Sequence, residues 1–315
     1  MEFSRSHTLS HFGCDRPGKL ESVILHTPGI ELELIHENNF HYWLFDKVPD
    51  IPKFIDEHLR YRDLLRSQGI IVYELEELAP TYRLQIQKQP AITYLNNTAV
   101  ISCKGAIISH MAYEARQGEL EIVKHALSSV GIPLLFEFNE LGDIFEGCTL
   151  LSEDSLLIAI TERHLHASVQ KFISAMLPNF KEIILIELPK HHRFRHPDSV
   201  FKKIHSNLAL AYLPAVSQSR VITKDGAFPI VFESYMKYLG IEIVSVSGFE
   251  QQRHACSFLP LNEGVILHYD TALDAVTRRQ LVSKGVEFVF FHSEALQAGG
   301  GSLNCLSLPL SKSSV

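Results

Sequence analysis

A cysteine close to the C-terminus has the surroundings of a reactive thiol. Cys305 ends the segment GGGSLNC (residues 299–305), which begins with three glycines. Glycine lets the backbone approach a ligand closely and leaves amide groups free to donate hydrogen bonds, which stabilise a thiolate. Cys305 is therefore a candidate nucleophile. The alternative is a flexible loop that leads to a buried cysteine without a chemical role.

A histidine and an aspartate lie two residues apart in the segment RHPDSVF (residues 195–201). In extended backbone, His196 and Asp198 would point to the same face, which suits a general acid or base beside a carboxylate. The chain has 17 histidines, so a chance pair in a solvated basic loop is the alternative. The neighbouring His191 and His192 have no companions at the spacing of zinc ligands, and no metal is predicted.

Three further charged residues could belong to the same site. Glu146 is flanked by apolar residues, and burial would raise its pKa or make it pair with a base. Arg116 and Arg163 stand where helices are predicted to begin. The helix dipole disfavours a cation at that end, so a functional reason is expected for each arginine. Binding the carboxylate of a ligand would be such a reason. The alternatives are an acid at the edge of a hairpin and two surface arginines.

These residues must be positioned by a repeated structural unit. Four amphipathic stretches end in glycine and continue with Ile or Val in a β-rich run, at Gly69, Gly131, Gly240 and Gly285. Glycine just after a helix adopts the left-handed conformation, and the run that follows predicts a buried strand. Asn179 is predicted to do the same at a fifth junction. The strands then begin near positions 70, 132, 183, 241 and 286, with a mean spacing of (286 − 70)/4 = 54.

A β-hairpin is predicted before four of the helices. Turns are expected at 104–105, 153–154 and 262–264, and a longer turn within 209–223. The unit is therefore strand, strand, helix, strand, and five such units fill most of the chain. A doubly wound α/β sheet is the alternative, which hairpins before each helix do not suit. Without a convincing linker, residues 1–315 are predicted to be one domain, in which residues 1–18 are poorly ordered or peripheral.

Composition and charge exclude several classes of function. The 315 residues include 29 Lys and Arg against 36 Asp and Glu, so a formal charge of −7 gives no electrostatic drive toward nucleic acid. Five cysteines without a CxxC spacing argue against a disulfide framework and a structural zinc site. No apolar run approaches the roughly 18 residues of a membrane span, and the N-terminus does not resemble a signal peptide. A soluble cytoplasmic protein is predicted.

Taken in order, four motifs resemble the pentein superfamily of guanidino-modifying enzymes, which comprises arginine deiminases, dimethylarginine hydrolases, arginine dihydrolases and amidinotransferases. Residues 25–49 are similar to the arginine deiminase opening, residues 196–201 to its His-Leu-Asp-Thr-Val-Phe block, and residues 146–149 to its Glu-Gly-Gly-Asp block. The glycine run before Cys305 is similar to the Gly-Gly-Gly-x-Ile-His-Cys of agmatine deiminases. The resemblance implies a five-bladed α/β propeller, the pentein fold, around a pseudo-five-fold axis.

By this resemblance the protein is expected to be a hydrolase of non-peptide C–N bonds. Cys305 would attack the central carbon of a guanidino or ureido group and form a covalent thiouronium intermediate. His196 would protonate the departing amine and then activate water, while Glu146 would orient His196. No metal and no organic cofactor is implied, because the cysteine and the histidine suffice.

The resemblance also implies how an arginine-like amino acid is bound. Asp198 would hold the substrate nitrogens, and Arg116 and Arg163 match the arginines that hold an α-carboxylate, which favours an amino acid over agmatine. Asn97 stands where the deiminases have a second aspartate for the guanidinium. An amide brings no charge, so Asn97 suits a neutral ureido group better than an aspartate does. The expected partner is this small molecule, with no nucleic acid and no membrane, and the assembly is left open to a homodimer.

Other positions also depart from the family pattern. Cys148 and Thr149 stand in place of Gly-Asp, and Asn304 stands in place of the histidine before the cysteine. These changes bear on the substrate more than on catalysis. Two other functions stay open: an amidinotransferase, which would pass the same thiouronium carbon to an amine, and a non-catalytic pentein that binds a ligand. Retention of the whole catalytic set argues against the second.

Overall fold

The computed structural model describes residues 8–313, which contain seventeen strands and ten α-helices. The strands are β1 (Leu20–Leu25), β2 (Ile71–Glu74), β3 (Ala99–Ser102), β4 (Gly105–Ile108), β5 (Leu134–Phe136), β6 (Thr149–Ser152), β7 (Ser155–Ile160), β8 (Glu182–Glu187), β9 (Phe201–His205), β10 (Leu208–Ala211), β11 (Gln218–Thr223), β12 (Gly226–Pro229), β13 (Glu242–Ser245), β14 (Leu259–Asn262), β15 (Val265–Tyr269), β16 (Glu287–Phe291) and β17 (Leu308–Lys312). The helices are α1 (Ile51–Ser67), α2 (Leu75–Leu78), α3 (Arg83–Ile86), α4 (Glu114–Gln117), α5 (Glu119–Ser129), α6 (His166–Met176), α7 (Phe232–Tyr238), α8 (Gly248–Gln252), α9 (Ala275–Ser283) and α10 (Ala295–Ala298). No helix within this described part combines the length and the apolar character needed to cross a bilayer.

The strands form five sheets that share one three-stranded pattern. Their strand orders are β17-β1-β2, β3-β4-β5, β6-β7-β8, β9-β10-β13 and β14-β15-β16, and β11 and β12 extend the third sheet to five strands. In each sheet the middle strand is antiparallel to the first and parallel to the last. The helix that joins the two parallel strands is α1, α5, α6, α7 and α9 in turn. The chain order strand, strand, helix, strand thus occurs in four sheets, and in the remaining sheet the first strand, β17, comes from the end of the chain; the fold is of the α/β class.

The helix-to-strand junctions lie where the glycine pattern predicts them. Gly69, Gly131, Gly240 and Gly285 have φ of 77°, 81°, 78° and 83°, the left-handed region in which glycine carries no steric cost. The strands β2, β5, β8, β13 and β16 follow at the expected places. The fifth junction differs, because Asn179 does not have a positive φ. There the chain leaves α6 through a turn in which the Asn179 amide donates to the carbonyl of Met176.

The hairpin predicted within residues 209–223 is wrong. The strand β10 pairs with β9, and β11 pairs with β8 of the neighbouring sheet and with β12. The β11–β12 hairpin is therefore an insertion between β10 and α7. Apolar alternation predicts that a segment is a strand and which face it buries, whereas the choice of partner depends on which edge lies nearby in the fold.

The first sheet joins the two ends of the chain. The strand β1 pairs antiparallel with β17, which is the last strand. The segment before β1 follows the same edge, since the Gly13 amide donates to the Leu310 carbonyl (2.8 Å) and the Cys14 amide to the Ile101 carbonyl (2.9 Å). Residues 8–18 therefore lie against β17 and β3. Residues 1–7 of the predicted N-terminal segment lie outside the described residues.

The apolar core lies between each crossover helix and its sheet. Val123 of α5 packs in one cluster with Ile101 of β3, and Phe172 of α6 packs in another with Ile158 of β7. All four side chains are almost completely buried. Because the helices are amphipathic, this packing covers one apolar face of each sheet. The strand ends and the loops that follow them are left to carry polar groups.

A buried histidine in α1 makes the stability of this fold depend on pH. The His58 side chain is fully buried, its two ring nitrogens have no hydrogen-bond partner among residues 8–313, and burial lowers its pKa to about 3. Unfolded histidine titrates near 6.5, so below that pH the unfolded chain binds a proton that the folded chain excludes. We expect His58 to remove about 1.4 kcal/mol of unfolding free energy per pH unit between pH 6.5 and its folded pKa.

Urea unfolding of wild type and His58→Leu at several pH values between neutral and acidic tests this. The variant should show a flatter dependence of unfolding free energy on pH than wild type. The exposed His166 in α6 is the matched control, and His166→Leu should leave the slope unchanged. Equal slopes for wild type and His58→Leu would contradict the expectation.

Candidate active site

One cavity brings the predicted residues together. Its lining includes Asn97, Arg116, Arg163, His196, Asp198 and Cys305. Glu146 is fully buried and is not part of this lining, but it contacts His196, which is. These seven residues come from widely separated parts of the sequence, so their convergence is a property of the fold.

The site residues share one structural position. Asn97 comes just before β3, Glu146 just before β6, Asp198 just before β9 and Cys305 just before β17. Each of these strands is the first strand of its sheet. In the remaining sheet, Ser257 comes just before β14 and lines the same cavity. No role for Ser257 was predicted, and its place before a first strand is the signal that could have found it.

His196 is held between an acid and an amide. Its Nε2 lies 2.8 Å from Oε2 of Glu146, and its Nδ1 lies 3.1 Å from the side-chain nitrogen of Asn97. Because the amide nitrogen donates to Nδ1, the ring hydrogen sits on Nε2 and is donated to Glu146. Burial lowers the pKa of His196, and the charge of Glu146 opposes that shift. Nδ1 is therefore the ring nitrogen that carries the lone pair, which accepts the hydrogen bond from Asn97 in this structure.

Glu146 is a buried carboxylate with several donors. Burial alone would raise its pKa, but the hydrogen bond from His196 and the charge of Arg163 lower it overall. The Arg163 guanidinium lies 3.2 Å from both carboxylate oxygens, and the Ala112 amide donates to Oε1 at 2.8 Å. Glu146 is consequently ionised at neutral pH and can orient His196 and stabilise its protonated form.

Asp198 presents a second carboxylate to the cavity. Its Oδ2 accepts hydrogen bonds from Ser257 Oγ (2.7 Å) and Asn304 Nδ2 (2.8 Å). Burial would raise its pKa, but the charge of Lys202 and these hydrogen bonds lower it. Lys202 also donates to Asn304 Oδ1 at 2.6 Å, which fixes the orientation of that amide. Asp198 is thus an anion that can attract a cationic ligand.

His196 and Asp198 do not lie on one extended strand as their spacing predicted. His196 has an extended backbone, with φ −133° and ψ 159°, but Pro197–Ser199 form a 3-10 turn. The proline at the start of the turn has the fixed φ that such turns need. The turn aims the two side chains at different partners, although both line the same cavity.

The Cys305 thiol lies beside a serine hydroxyl. Its Sγ is 3.2 Å from Ser302 Oγ, and its amide donates to the same oxygen at 3.3 Å. Burial and the charge of Asp198 raise the pKa of Cys305, while Ser302 and Arg195 lower it. The sequence predicted that glycine-loop amides would favour the thiolate, and the net shift is toward the thiol. A cation bound beside the thiol would shift this balance toward the thiolate.

The glycine run allows close packing against an aromatic ring. A Cβ on Gly301 would lie 2.1 Å from the Tyr94 ring, and one on Gly300 would lie 2.7 Å from the Asp46 carboxyl group. Gly300 also has a φ of 90°, which disfavours other residues. Larger residues here would push the loop, and with it Ser302 and Cys305, away from their positions.

The two arginines predicted to hold a carboxylate ligand are both paired with carboxylates of the protein. Arg116 Nε and Nη2 contact Glu119 at 2.6 to 3.0 Å, and Nη2 also donates to the Tyr94 carbonyl. Arg163 contacts Glu146 and lies 4.2 Å from the centre of the Tyr113 ring. Both side chains are almost completely buried. Arg116 lies within the short helix α4, and Arg163 precedes α6.

No metal site accompanies these groups in the described part of the chain, where no three His, Cys, Asp or Glu side chains converge in a way that could hold an ion. The five cysteines are all free thiols. Cys148 lies close to Glu146 in sequence but is buried, and burial raises its pKa to about 12. Cys305 is the cysteine that lines the cavity with His196.

A family model described as arginine deiminase matches residues 81–312, which is most of the chain. The chain belongs to the arginine deiminase family. The arginine deiminase of Streptococcus pyogenes serotype M49 (strain NZ131) is 22% identical, and the alignment covers 95% of this chain and 97% of that enzyme. That of Streptococcus equi subsp. zooepidemicus (strain MGCS10565) is also 22% identical, with the same coverage.

Solved structures of arginine deiminase relatives have a similar fold. The N-terminal domain of ArgZ, an arginine dihydrolase from Cyanobacteria solved with its product, has a TM-score of 0.68 at 14% identity, over 91% of this chain and 96% of that chain. DDAH from Pseudomonas aeruginosa, solved with citrulline, has a TM-score of 0.64 at 15% identity, over 92% and 99%. A mutant of AgrE, solved with L-arginine, has a TM-score of 0.70 at 13% identity, over 94% of this chain and 41% of that chain.

Membership of the arginine deiminase family confirms the resemblance found in the sequence. The protein is a guanidino-modifying hydrolase, as the motifs predicted. The roles of its individual residues stay predictions. The geometry adds Ser257, Ser302 and Lys202 to the predicted set, since they contact Asp198, Cys305 and Asn304.

Proposed function

We propose that this protein hydrolyses C–N bonds in the guanidino group of arginine or an arginine-like amino acid, with Cys305 as the nucleophile. The observation that carries the proposal is that one cavity is lined by the Cys305 thiol, the Asp198 carboxylate and a His196 oriented by Glu146. These are the nucleophile, the anion and the proton carrier that this chemistry needs. The names of the arginine deiminase and arginine dihydrolase relatives support the same substrate class.

The first step is attack by sulfur on the guanidinium carbon. Asp198 holds the cation beside Cys305, and the cation lowers the pKa of the thiol, which passes its proton to Nδ1 of His196 and becomes a thiolate. A bond forms between Sγ and the central carbon. The bond from that carbon to one nitrogen breaks, and protonated His196 donates a proton from Nδ1 to the departing ammonia.

The second step releases the intermediate. His196 takes a proton from water through Nδ1, the water oxygen bonds to the thiouronium carbon, the bond to Sγ breaks, and His196 passes its proton to the sulfur. Arginine and one water thus give citrulline and ammonia, and the thiol is restored. Glu146 holds the imidazole in one orientation through both proton transfers by its hydrogen bond to Nε2, and Nδ1 transfers protons when the substrate or water replaces the Asn97 amide as its partner.

Asn97 bears on whether hydrolysis stops at citrulline or continues to ornithine. Its amide contacts His196 Nδ1 and faces the cavity, at a position where an aspartate would favour a cation. A neutral ureido group can form hydrogen bonds with an amide as donor and as acceptor. We therefore infer that citrulline is also accepted, and that a second water converts it to ornithine, carbon dioxide and a second ammonia.

The proposal extends to the arrangement of the sheets. We infer that the five sheets are the blades of a five-bladed propeller in one domain, residues 1–315, with the cavity on its pseudo-five-fold axis. The support is that the site residues occupy one equivalent position, before the first strand, in all five sheets. The free cysteines suit the reducing interior of a cell, and we propose a cytoplasmic location.

Product analysis with isotopically labelled arginine and citrulline, in parallel incubations, tests the activity. We expect labelled ammonia from arginine, consumption of citrulline, and accumulation of ornithine, measured by mass spectrometry. Citrulline as the final product would limit the reaction to one hydrolysis. Acceleration of ornithine release by added glycine would indicate amidino transfer. No product from either compound, with wild type and Cys305→Ala indistinguishable, would overturn the proposal.

A further inference from the structure

A second cavity, of about 170 Å³, lies between the five sheets and adjoins the catalytic cavity. Asn97 and Asp198 line both cavities. The lining of the second cavity also includes residues from the first strand of each sheet, namely Ile101, Leu150, Lys202, Leu259 and Leu308. It is therefore enclosed by the sheets and can admit a small molecule but not a polymer.

Three lysines line this second cavity, which we call the lysine cavity. Lys202 and Lys203 are neighbours in β9, and Lys312 ends β17. All three are half-buried. No carboxylate lies within ion-pair distance of their ammonium groups among residues 8–313. The proposed reaction gives no task to Lys203 or Lys312.

The two carboxylates in the lining of the lysine cavity do not neutralise the lysines. Glu146 is paired with Arg163. Asp198 is joined to Lys202 only through Asn304, whose amide donates to Asp198 while its oxygen accepts from Lys202. Even with Asp198 counted against Lys202, the other two lysines leave two positive charges uncompensated.

The like charges of the lysine cavity act against one another in the ligand-free protein. Burial, followed by the charge of Lys312, lowers the pKa of Lys203 to about 8. Glu263 opposes this shift from beyond ion-pair distance, and its carboxylate accepts a hydrogen bond from the Ser206 amide. Burial also lowers the pKa of Lys202, although the charge of Asp198 opposes it. An anion among the three ammonium groups would relieve this repulsion.

The lysines also keep donors for such an anion. An ammonium group carries three N–H donors. Lys203 uses one on the Leu151 carbonyl at 2.8 Å, and Lys202 uses one on Asn304 at 2.6 Å. Lys312 has no hydrogen-bond partner for its side chain within the described part of the chain. Several donors from two neighbouring strands are thus available to one ligand.

We propose that the lysine cavity binds a phosphate dianion, either free or as the phosphate group of a small metabolite. Lysine binds phosphate as a point charge, and ammonium groups on two strands can reach different oxygens of a tetrahedral anion. The described lining contains no arginine, whose planar fork matches a carboxylate. The site is distinct from the one at which the guanidino group reacts, and it does not depend on the proposed function.

Calorimetric titration of the wild-type protein with inorganic phosphate, glycerol 3-phosphate and succinate, at constant ionic strength, tests the proposal. We expect saturable binding of one phosphate or phosphate ester per chain. The ester binding more tightly would identify a metabolite as the ligand, and phosphate binding more tightly would identify the free ion. Succinate binding more tightly than both, or no saturation with either phosphate compound, would overturn the proposal.

Variants of the two lysines without a task in the reaction locate the site. Lys203→Gln and Lys312→Gln should each weaken phosphate binding on the order of 10-fold or more, and the double variant should abolish it. Lys224→Gln is the matched control, because Lys224 is exposed in the turn between β11 and β12 and does not line the cavity. It should bind phosphate as wild type does. Equal affinity in wild type and the double variant would contradict the proposal.

A measurement on wild type alone covers the case in which the lysine variants do not fold. A ligand that binds only the folded state raises the midpoint of thermal unfolding as its concentration rises. Phosphate should raise this midpoint, and chloride at the same ionic strength should not. Equal midpoints in the two salts would overturn the proposal. Neither experiment involves ammonia release, so the phosphate site and the proposed hydrolysis can fail separately.

Discussion

Replacing Cys305 with alanine is expected to lower ammonia release from arginine on the order of 10⁴-fold or more. The covalent intermediate forms on Sγ, and no other thiol lines the catalytic cavity within residues 8–313. Arginine binding should persist in the variant, because Asp198 keeps its partners Ser257 and Asn304. The measurement is kcat/KM from ammonia release, together with a binding titration.

Cys103→Ala is the control for this prediction. Cys103 is partly exposed, as Cys305 is, but burial and the Asp15 carboxylate raise its pKa to about 11. Cys103→Ala should keep wild-type activity. An electrophilic amidine should also label Cys305 faster than Cys103, since Asp198 can bind the amidine cation beside the thiol. Equal labelling of the two cysteines, with no ammonia release from either wild type or Cys305→Ala, would favour a binding protein without catalysis, whereas full activity in Cys305→Ala would show that Cys305 is not the nucleophile.

Replacing Glu146 with glutamine is expected to lower kcat/KM by about 10²- to 10⁴-fold. Glutamine can still accept a hydrogen bond from His196, but it removes the charge that opposes the effect of burial on this histidine. The pKa of His196 should therefore fall further. Activity that requires protonated His196 is then lost at a lower pH than in wild type, which the pH dependence of kcat/KM measures.

The same substitution should lower the unfolding free energy by about 3 kcal/mol. The Arg163 guanidinium is buried and would lose its nearer carboxylate partner, at 3.2 Å, keeping only Glu162 at 3.6 Å. Folding lowers the pKa of Glu146, so the ionised carboxylate stabilises the folded state at pH values above the pKa of an unfolded glutamate. This stabilisation is lost as the pH falls toward the pKa of Glu146 in the folded state. Urea unfolding of wild type and Glu146→Gln at neutral pH gives the difference.

Glu187→Gln is the control for both effects. Glu187 also pairs with an arginine, Arg220, at 3.0 Å, but this pair is partly exposed and lies outside the cavity. Exposed pairs contribute at most about 1 kcal/mol, so this variant should be close to wild type. If Glu146→Gln were also close to wild type in pH profile and stability, the assigned role of Glu146 would be wrong.

The local parts of this fold could be predicted because they depend on neighbouring residues. A helix ends where a left-handed residue such as Gly131 allows the chain to turn, and the strand after it follows from a run of β-branched residues. The same local signals revealed the repeat. They failed for the hairpin assigned to 209–223, because β10 and β11 find their partners in different sheets.

The chemistry could also be predicted, because reactivity depends first on residue type. A cysteine after a glycine run, a histidine with an aspartate and a buried glutamate have few joint uses, and their order along the chain matches one family. By itself the sequence therefore predicted the class of reaction, which the family confirms, and the residues that are proposed to react. It did not reveal Ser257, whose place depends on a strand of another sheet.

The tertiary structure decided how the charges pair. Arg116, Arg163 and Arg195 carry the same charge, and although the spacing of Arg116 and Glu119 allows an i,i+3 pair, the sequence does not show which arginine has a carboxylate within ion-pair distance in the fold. The difference arises because Glu119 and Glu146 are buried against the first two, while Arg195 meets a backbone carbonyl. In a low-dielectric interior each charge is stabilised by what lies within a few ångströms, and that distance is set by the fold.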